Sequence, residues 1–461
     1  MKNPNRREFL RWSSMSLAAL GLSGMPPFLR RAIAEPLAPG KKLLFIFLRG
    51  GIDAVQAVIP YGDAGLPGKK TYLAARPTLG VPIAEAHDLN GFASLHPALH
   101  TAGGAGPKVL DIFRGALDGR PANLAILHRI GYESQNRSHF SSQQFWENGA
   151  PGMVNLEQGV FNRYLTAYKQ PENPLQAAVL ATNQMVMMKG DTLVPALRSI
   201  NDYSLPANIP IGSASMPADP LGRGLLGSYS QSGFSPKPRY NALTYSTGKT
   251  LLESLTFFET TVRSSPYVPE PDAQPYYAAI GNQRFAGFVR DSARLLKQVP
   301  ELQIAGLNQD GYDTHGNENV AFPLLMSDLG NALTALYFDL KPIWKDTVVV
   351  TMSEFGRTPE ENGNRGTDHG ESTVMFAMGG PVKGGVFNAD KSRWADGDLF
   401  STANGRYTAH RTDYRAVYHE IITGHLGDPA ARIDEVIPGY SALAAGDAAG
   451  YFDPLGFIQA E

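Results

Sequence analysis

Five short, largely unbroken apolar runs constrain this chain more than anything else in it. Residues 42–48 read KLLFIFL, with no polar position after Lys42 to turn toward water. A strand without alternation is buried on both faces, which is the habit of parallel sheets covered by helices. Residues 122–130 (ANLAILHRI), 302–307 (LQIAGL), 347–352 (TVVVTM) and 373–378 (TVMFAM) follow the same pattern. Helical spacing appears between them. Residues 320–340 carry apolar positions three and four apart, and Phe285, Phe288, Val289, Leu296 and Val299 mark one face of a helix. Another helix opens near Ser138, and residues 412–426 read as a closing helix. Strands alternating with helices predict an α/β fold with a mainly parallel sheet.

The stretch from about 150 to 280 differs, being rich in Pro, Gly, Ser and Asn. It is expected to be an insertion lying over the site, made of loops and short helices. The N-terminus reads as an export signal. Asn5-Arg6-Arg7-Glu8-Phe9-Leu10 is a twin-arginine motif, followed by a mildly apolar stretch and Ala32-Ile33-Ala34, a small-residue cleavage site. Pro26 and Pro27 interrupt that stretch, which is shorter than the ~20 apolar residues of a membrane span. The expected organisation is therefore residues 1–34 as a cleaved signal and 35–461 as one α/β domain. The expected location is periplasmic or secreted, with the twin-arginine translocase as a transient partner and no stable membrane span after cleavage.

Removing residues 1–34 takes away six basic residues and one acid, which leaves a formal net charge of −7. That balance argues against a nucleic-acid binder or an anionic-membrane binder. The chain has no cysteine, so it holds no disulfide and no lipid-anchoring thiol. Neither a glycine-rich phosphate loop of the Walker type nor a GxSxG elbow is present.

Acidic and histidine residues gather where the apolar runs end. Asp53 follows the first run, Asp313 and His315 the third, and Glu354 the fourth, with Asp368 and His369 soon after in GTDHGE. The carboxyl ends of parallel strands share one edge of a sheet, and ligands bind there. Carboxylates and imidazoles at such an edge can hold divalent metal ions. Each residue also has a plainer reading. Asp53 fits a helix N-cap equally well, and Glu354 can cap a helix with Arg357 as its ion-pair partner. Ser138 opens a helix after the second run. It can serve as a nucleophile in the positive potential of that helix end, with Arg137 holding an anionic oxygen, or simply as an N-cap.

LRGGID, NRSHF with QFWENG, GYDTHG, SEFGRTPEENGNRGTDHG and TDYRAVY together resemble the DUF1501 family of twin-arginine-exported proteins. That family looks like a branch of the alkaline phosphatase and sulfatase superfamily. The resemblance implies a three-layer α/β/α sandwich and two metal ions at the strand ends. Carried across, it implies Asp53, Asp313, His315, Glu354, Asp368 and His369 as metal ligands, Asp368 being either an extra ligand or a group behind one. The superfamily's Asp-His dipeptide becomes Glu354-Phe355 here. The loss of that histidine implies a nitrogen-poor site suited to manganese, magnesium or calcium, or a single-metal centre. The expected cofactors are one or two divalent ions, zinc among them.

Two functions follow as expectations. One is an exported metal-dependent hydrolase of phosphate or sulfate esters, small or polymeric, using Ser138 or a metal-activated water. The other is a non-catalytic exported binding protein that keeps the fold and a structural metal.

Overall fold

The computed structural model describes residues 40–100, 108–117, 122–167, 175–203, 254–427 and 432–459, with Gly106, Gly248, Leu251 and Leu252. Residues 1–34, read as an export signal, and residues 204–247 of the expected insertion lie outside the described residues.

Among the described residues, nine strands form one sheet. In chain order they are β1 (Lys42–Arg49), β2 (Leu124–Gly131), β3 (Ala177–Leu180), β4 (Ala196–Leu197), β5 (Ile304–Asp310), β6 (Thr347–Met352), β7 (Thr373–Gly379), β8 (Gly385–Phe387) and β9 (Thr412–Asp413). The spatial order is β8-β2-β7-β6-β1-β5-β3-β4, with β9 also paired to β2. β1 lies at the centre, parallel to β5 on one side and to β6 on the other. Only β7 runs antiparallel, between β2 and β6. Its first residue, Thr373, therefore stands at the edge where the parallel strands end.

The apolar run of β1 explains the layering. Leu44, Ile46 and Leu48 face one core, which includes Phe285, Val289 and Leu296 of α4 (Gln283–Gln298) and Met326, Leu333 and Leu336 of α5 (Glu318–Asp339). Leu43, Phe45 and Phe47 face the other, with Trp146 of α2 (His139–Asn148), Phe161 of α3 (Val160–Ala167) and Tyr418 of α6 (Tyr414–His419). A four-residue helix, α1 (Ala54–Ala57), follows β1 directly. All six side chains from Leu43 to Leu48 are fully buried. Each such burial stabilises by roughly 1.5–3 kcal/mol, so this strand alone ties both cores to the sheet. The mixed α/β architecture with a mostly parallel sheet matches the expectation from periodicity.

The expected insertion is partly built into that architecture. Helix α3 packs in the second core, and β3 pairs in parallel with β5 and β4. The expected closing helix at 412–426 is three elements: β9, α6 and a π-helical turn at Glu420–His425. Among the described residues, no helix is long and apolar enough to cross a membrane.

Candidate metal centre

Four strand ends meet at the carboxyl edge of the sheet. β1 runs into Gly50 and Gly51, whose φ angles are +117° and +76°. A Cβ on Gly50 would sit 2.4 Å from the Asp313 nitrogen, and one on Gly51 would sit 2.5 Å from the Phe355 ring. Only glycine allows the loops after β1, β5 and β6 to approach so closely. Arg357 then ties them together. Its buried guanidinium donates to the carbonyls of Gly50, Gly51 (2.9 Å), Tyr312 (3.0 Å) and Thr367 (3.0 Å), and to Asp313 Oδ1 at 2.5 Å.

This frame brings three imidazoles around one carboxylate oxygen. Asp313 Oδ1 lies 3.3 Å from His139 Nε2, 3.1 Å from His315 Nε2 and 3.3 Å from His369 Nε2. The His315 and His369 Nε2 atoms are 2.9 Å apart. Donor atoms of His139, Asp313 and His369 all lie within 4.8 Å of one another, a grouping able to hold a metal ion. Ligand atoms about 2.0–2.1 Å from one ion, at tetrahedral angles, stand about 3.3 Å from one another. His139, Asp313 and His369 are thus grouped closely enough to serve one ion, with His315 standing beside them.

The other ring nitrogens support this reading. His139 Nδ1 lies 2.8 Å from Glu354 Oε1, His369 Nδ1 lies 2.7 Å from the Arg137 carbonyl, and His315 Nδ1 lies 3.4 Å from Asp368 Oδ1. An oxygen behind each Nδ1 favours the tautomer protonated there, which would leave Nε2 free to bind a metal ion. Phe355 fixes the planes of two rings, its centroid 4.9 Å from that of His139 and 4.8 Å from that of His369.

Burial raises the Asp313 pKa, but the bond and charge of Arg357, with His139 and His315, overcome it and hold the value at about 2. Glu354 is fully buried, yet it stays below the ordinary carboxylate range. Against burial, it accepts from His139, from Gln143 Nε2 at 2.8 Å and from the Gly50 nitrogen at 2.9 Å. The hydrogen bond to Glu354 raises His139, whereas burial lowers His369.

The sequence-derived ligands divide accordingly. Asp313, His315 and His369 converge. Glu354 stands behind His139, and Asp368 stands behind His315 while also pairing with Arg406 at 3.2 Å. Asp53 does not reach the centre. It is the N-cap of α1, accepting from the Gln56 nitrogen at 2.9 Å, and it pairs with the fully buried Arg76 at 2.7 Å. Arg76 accounts for this: its charge satisfies the Asp53 carboxylate inside the protein, against the burial cost, and keeps its pKa low. Neighbouring Glu318 goes the other way, pushed well up by burial and by the Asp53 charge.

His139 was not among the expected ligands. It occupies the first helical position of α2, one residue after Ser138, at the end of the loop that leaves β2. Its signal in the sequence is the histidine of NRSHF, beside Arg137 and Ser138. His139 and His369 give the group two nitrogens beside the Asp313 oxygen. His139 supplies from another strand end the imidazole that Phe355 does not. Ser138 is the exposed N-cap residue of α2, and its side chain makes no cap hydrogen bond. Arg137 is exposed, pairs with Glu371 at 3.0 Å and lies 4.6 Å above the Tyr407 ring.

Residues 293–437 match the model of a family described as "Protein of unknown function (DUF1501)". The match supports the family resemblance carried by the motifs. It covers Asp313, His315, Glu354, Asp368 and His369; His139, Ser138 and Asp53 lie before it. No curated protein matches the sequence. Among solved structures, the chain is similar to the C-terminal periplasmic domain of EcEptC from Escherichia coli, crystallised in complex with Zn. The identity is 9% and the TM-score 0.32, over 85% of this chain and 84% of that one. At that distance the likeness bears on neither fold nor chemistry.

Proposed function

We propose that this chain is an exported metal-dependent hydrolase of phosphate or sulfate esters, on an alkaline phosphatase-like frame with a single principal metal centre. The observation that carries the reading is the convergence of three Nε2 atoms on Asp313 Oδ1, each imidazole held from behind by an oxygen. Two imidazole nitrogens and a carboxylate oxygen suit zinc or manganese better than magnesium or calcium, which prefer all-oxygen sets. His139, Asp313 and His369 would hold the ion, with His315 beside them, and when bound it supplies Lewis acidity toward an anionic oxygen and acidifies water.

The surrounding residues fit an anionic ester. The side chains of Asp313 and His315 are about half exposed, at 49% and 46%, so a substrate can reach the centre. The Arg137 guanidinium, steadied by Glu371 and Tyr407, is placed to bind ester oxygens. The Ser138 hydroxyl, at the positive end of α2, can attack or orient water. Export by the twin-arginine route belongs to the same proposal and rests on the N-terminal motif.

A second reading has one specific motive. His315, whose Nε2 lies 3.1 Å from Asp313 Oδ1, stands ready as a fourth protein ligand, and a shell of four is the mark of structural metal sites. A non-catalytic binding protein with a structural metal follows from it.

Elemental analysis of protein purified without chelator, joined to a phosphate- and sulfate-ester screen, separates the two. The hydrolase reading expects one ion per chain, lost in His369→Ala, and metal-dependent turnover reduced at least tenfold in Arg137→Ala. Bound metal without turnover of any ester favours the structural reading. Protein without metal sinks both.

A further inference from the structure

A second charged site lies beside the carboxyl end of β2 and shares no residue with the metal centre. A cavity of about 270 Å³ is lined by Arg129, Lys391, Arg393, Trp394, Asp398 and Arg411, among others. Four cationic residues line it against one acid. That carboxylate is already engaged, with Asp398 Oδ2 2.7 Å from Arg129 Nη1. The other acids of the neighbourhood are turned to backbone and ring N–H groups. Asp63 accepts from Trp394 Nε1, Gly397 N and Leu399 N, Asp390 from Ser392 N, and Asp396 from Ala64 N. Among the described residues, Lys391, Arg393 and Arg411 have no ion-pair partner.

Arg129 is built into this site at a cost. Its side chain is only 6% exposed, and burial pulls its pKa below the ordinary value. Nε donates to the Ala409 carbonyl at 3.0 Å, and Nη1 to Asp398 and to the Arg393 carbonyl at 3.3 Å. Nη2 has no hydrogen-bond partner among the described residues. The backbone is also forced. Arg129 has φ +55°, a left-handed conformation costly for a residue with a Cβ. It sits in a bulge where His128 and Arg129 of β2 oppose Val374 alone on β7. Bulges of this kind re-aim side chains. Here the bulge turns that guanidinium toward a pocket of like charges, where an incoming anion offsets the repulsion and can accept from Nη2.

We propose that this pocket binds a tetrahedral oxyanion, phosphate or sulfate, free or as the terminal group of a larger molecule. The site is independent of the metal centre and goes beyond the hydrolase reading. It supplies a second anchoring point on a chain whose overall charge is negative.

Chelator-treated protein, titrated calorimetrically at fixed ionic strength with inorganic phosphate, sulfate and pyrophosphate against chloride, tests the proposal. Saturable binding of at least one oxyanion over chloride is expected, and the preferred arm identifies the group. The exposed pair Lys391→Ala/Arg393→Ala should weaken it at least tenfold, as should Arg411→Gln, with circular dichroism unchanged. His369→Ala should bind as the unaltered protein does. Three results overturn the proposal: binding no better than chloride, binding indifferent to the cation variants, or binding lost in His369→Ala. Because metal is absent throughout, failure here leaves the hydrolase reading standing, and failure of that reading leaves this one standing.

Discussion

Asp53 and Glu354 are buried carboxylates just past the ends of adjacent strands, and their letters in sequence look alike. Their partners give them opposite roles. Asp53 meets the guanidinium of Arg76, while Glu354 meets the imidazole of His139. Glu354→Gln keeps the shape and the fold but weakens the acceptor behind His139 Nδ1. Metal affinity should fall about 10–100-fold, the usual cost of losing such a partner, as read by competition with a chromophoric chelator. Asp53→Asn should leave metal content unchanged in the folded fraction. It should lower stability by about 3 kcal/mol in urea unfolding, at the low end for a broken buried pair, because Glu318 can ionise in its place. Loss of metal without loss of stability in Asp53→Asn would restore Asp53 as a ligand.

At the scale of elements, the paired glycines after β1 control the site as much as any ligand does. Gly51→Ala places a methyl against the Phe355 ring at a φ of +76°. Phe355 touches His139 and His369, so the variant should lose at least ~1 kcal/mol of stability and also bind metal more weakly. Unaltered affinity would show that Phe355 does not set the imidazole planes. The long elements were legible because their periodicity is strong: β1, β6 and α4 lie within two residues of where the apolar pattern puts them. β3 and β4 were not. AAVL at 177–180 is four residues long in a polar context, and only pairing with β5 makes it a strand. The 412–426 stretch has helical letters throughout. Its first two residues are claimed instead by β2, and Asp413 then caps α6 by accepting from the Arg415 nitrogen at 2.9 Å.

For the whole molecule, two histidines away from the metal centre predict sensitivity to acid. His128 is fully buried between Val58, whose carbonyl its Nε2 meets at 3.2 Å, and its own neighbour Arg129, whose N–H donates to its Nδ1 at 2.8 Å. His96 likewise accepts the Ala98 N–H at Nδ1, 3.1 Å away. Burial holds both at about 4. The unfolded chain takes up these protons first, near 6.5, so stability is full above that pH and falls as pH drops toward 4. The loss is about 3 kcal/mol per group at most, from ~1.36 kcal/mol for each pH unit of the window. Urea midpoints should decline between pH 7 and 4.5, and less steeply in His128→Gln. A midpoint that stays flat across that range would show that both imidazoles charge freely in the folded state. Apolar runs followed by glycine and acid or histidine determined, by sequence alone, that the chain makes a mostly parallel sheet with acids and histidines gathered at its carboxyl edge. Backbone periodicity and steric demand are local, so the letters carry them. Which of the strand-end groups share one point was decided only by the tertiary structure. His139 joins from the far end of the β2 loop and Asp53 is drawn away by Arg76, because a ligand set depends on where separate loops are pinned against each other. Arg357 and two glycines do that pinning through contacts between residues some 300 positions apart.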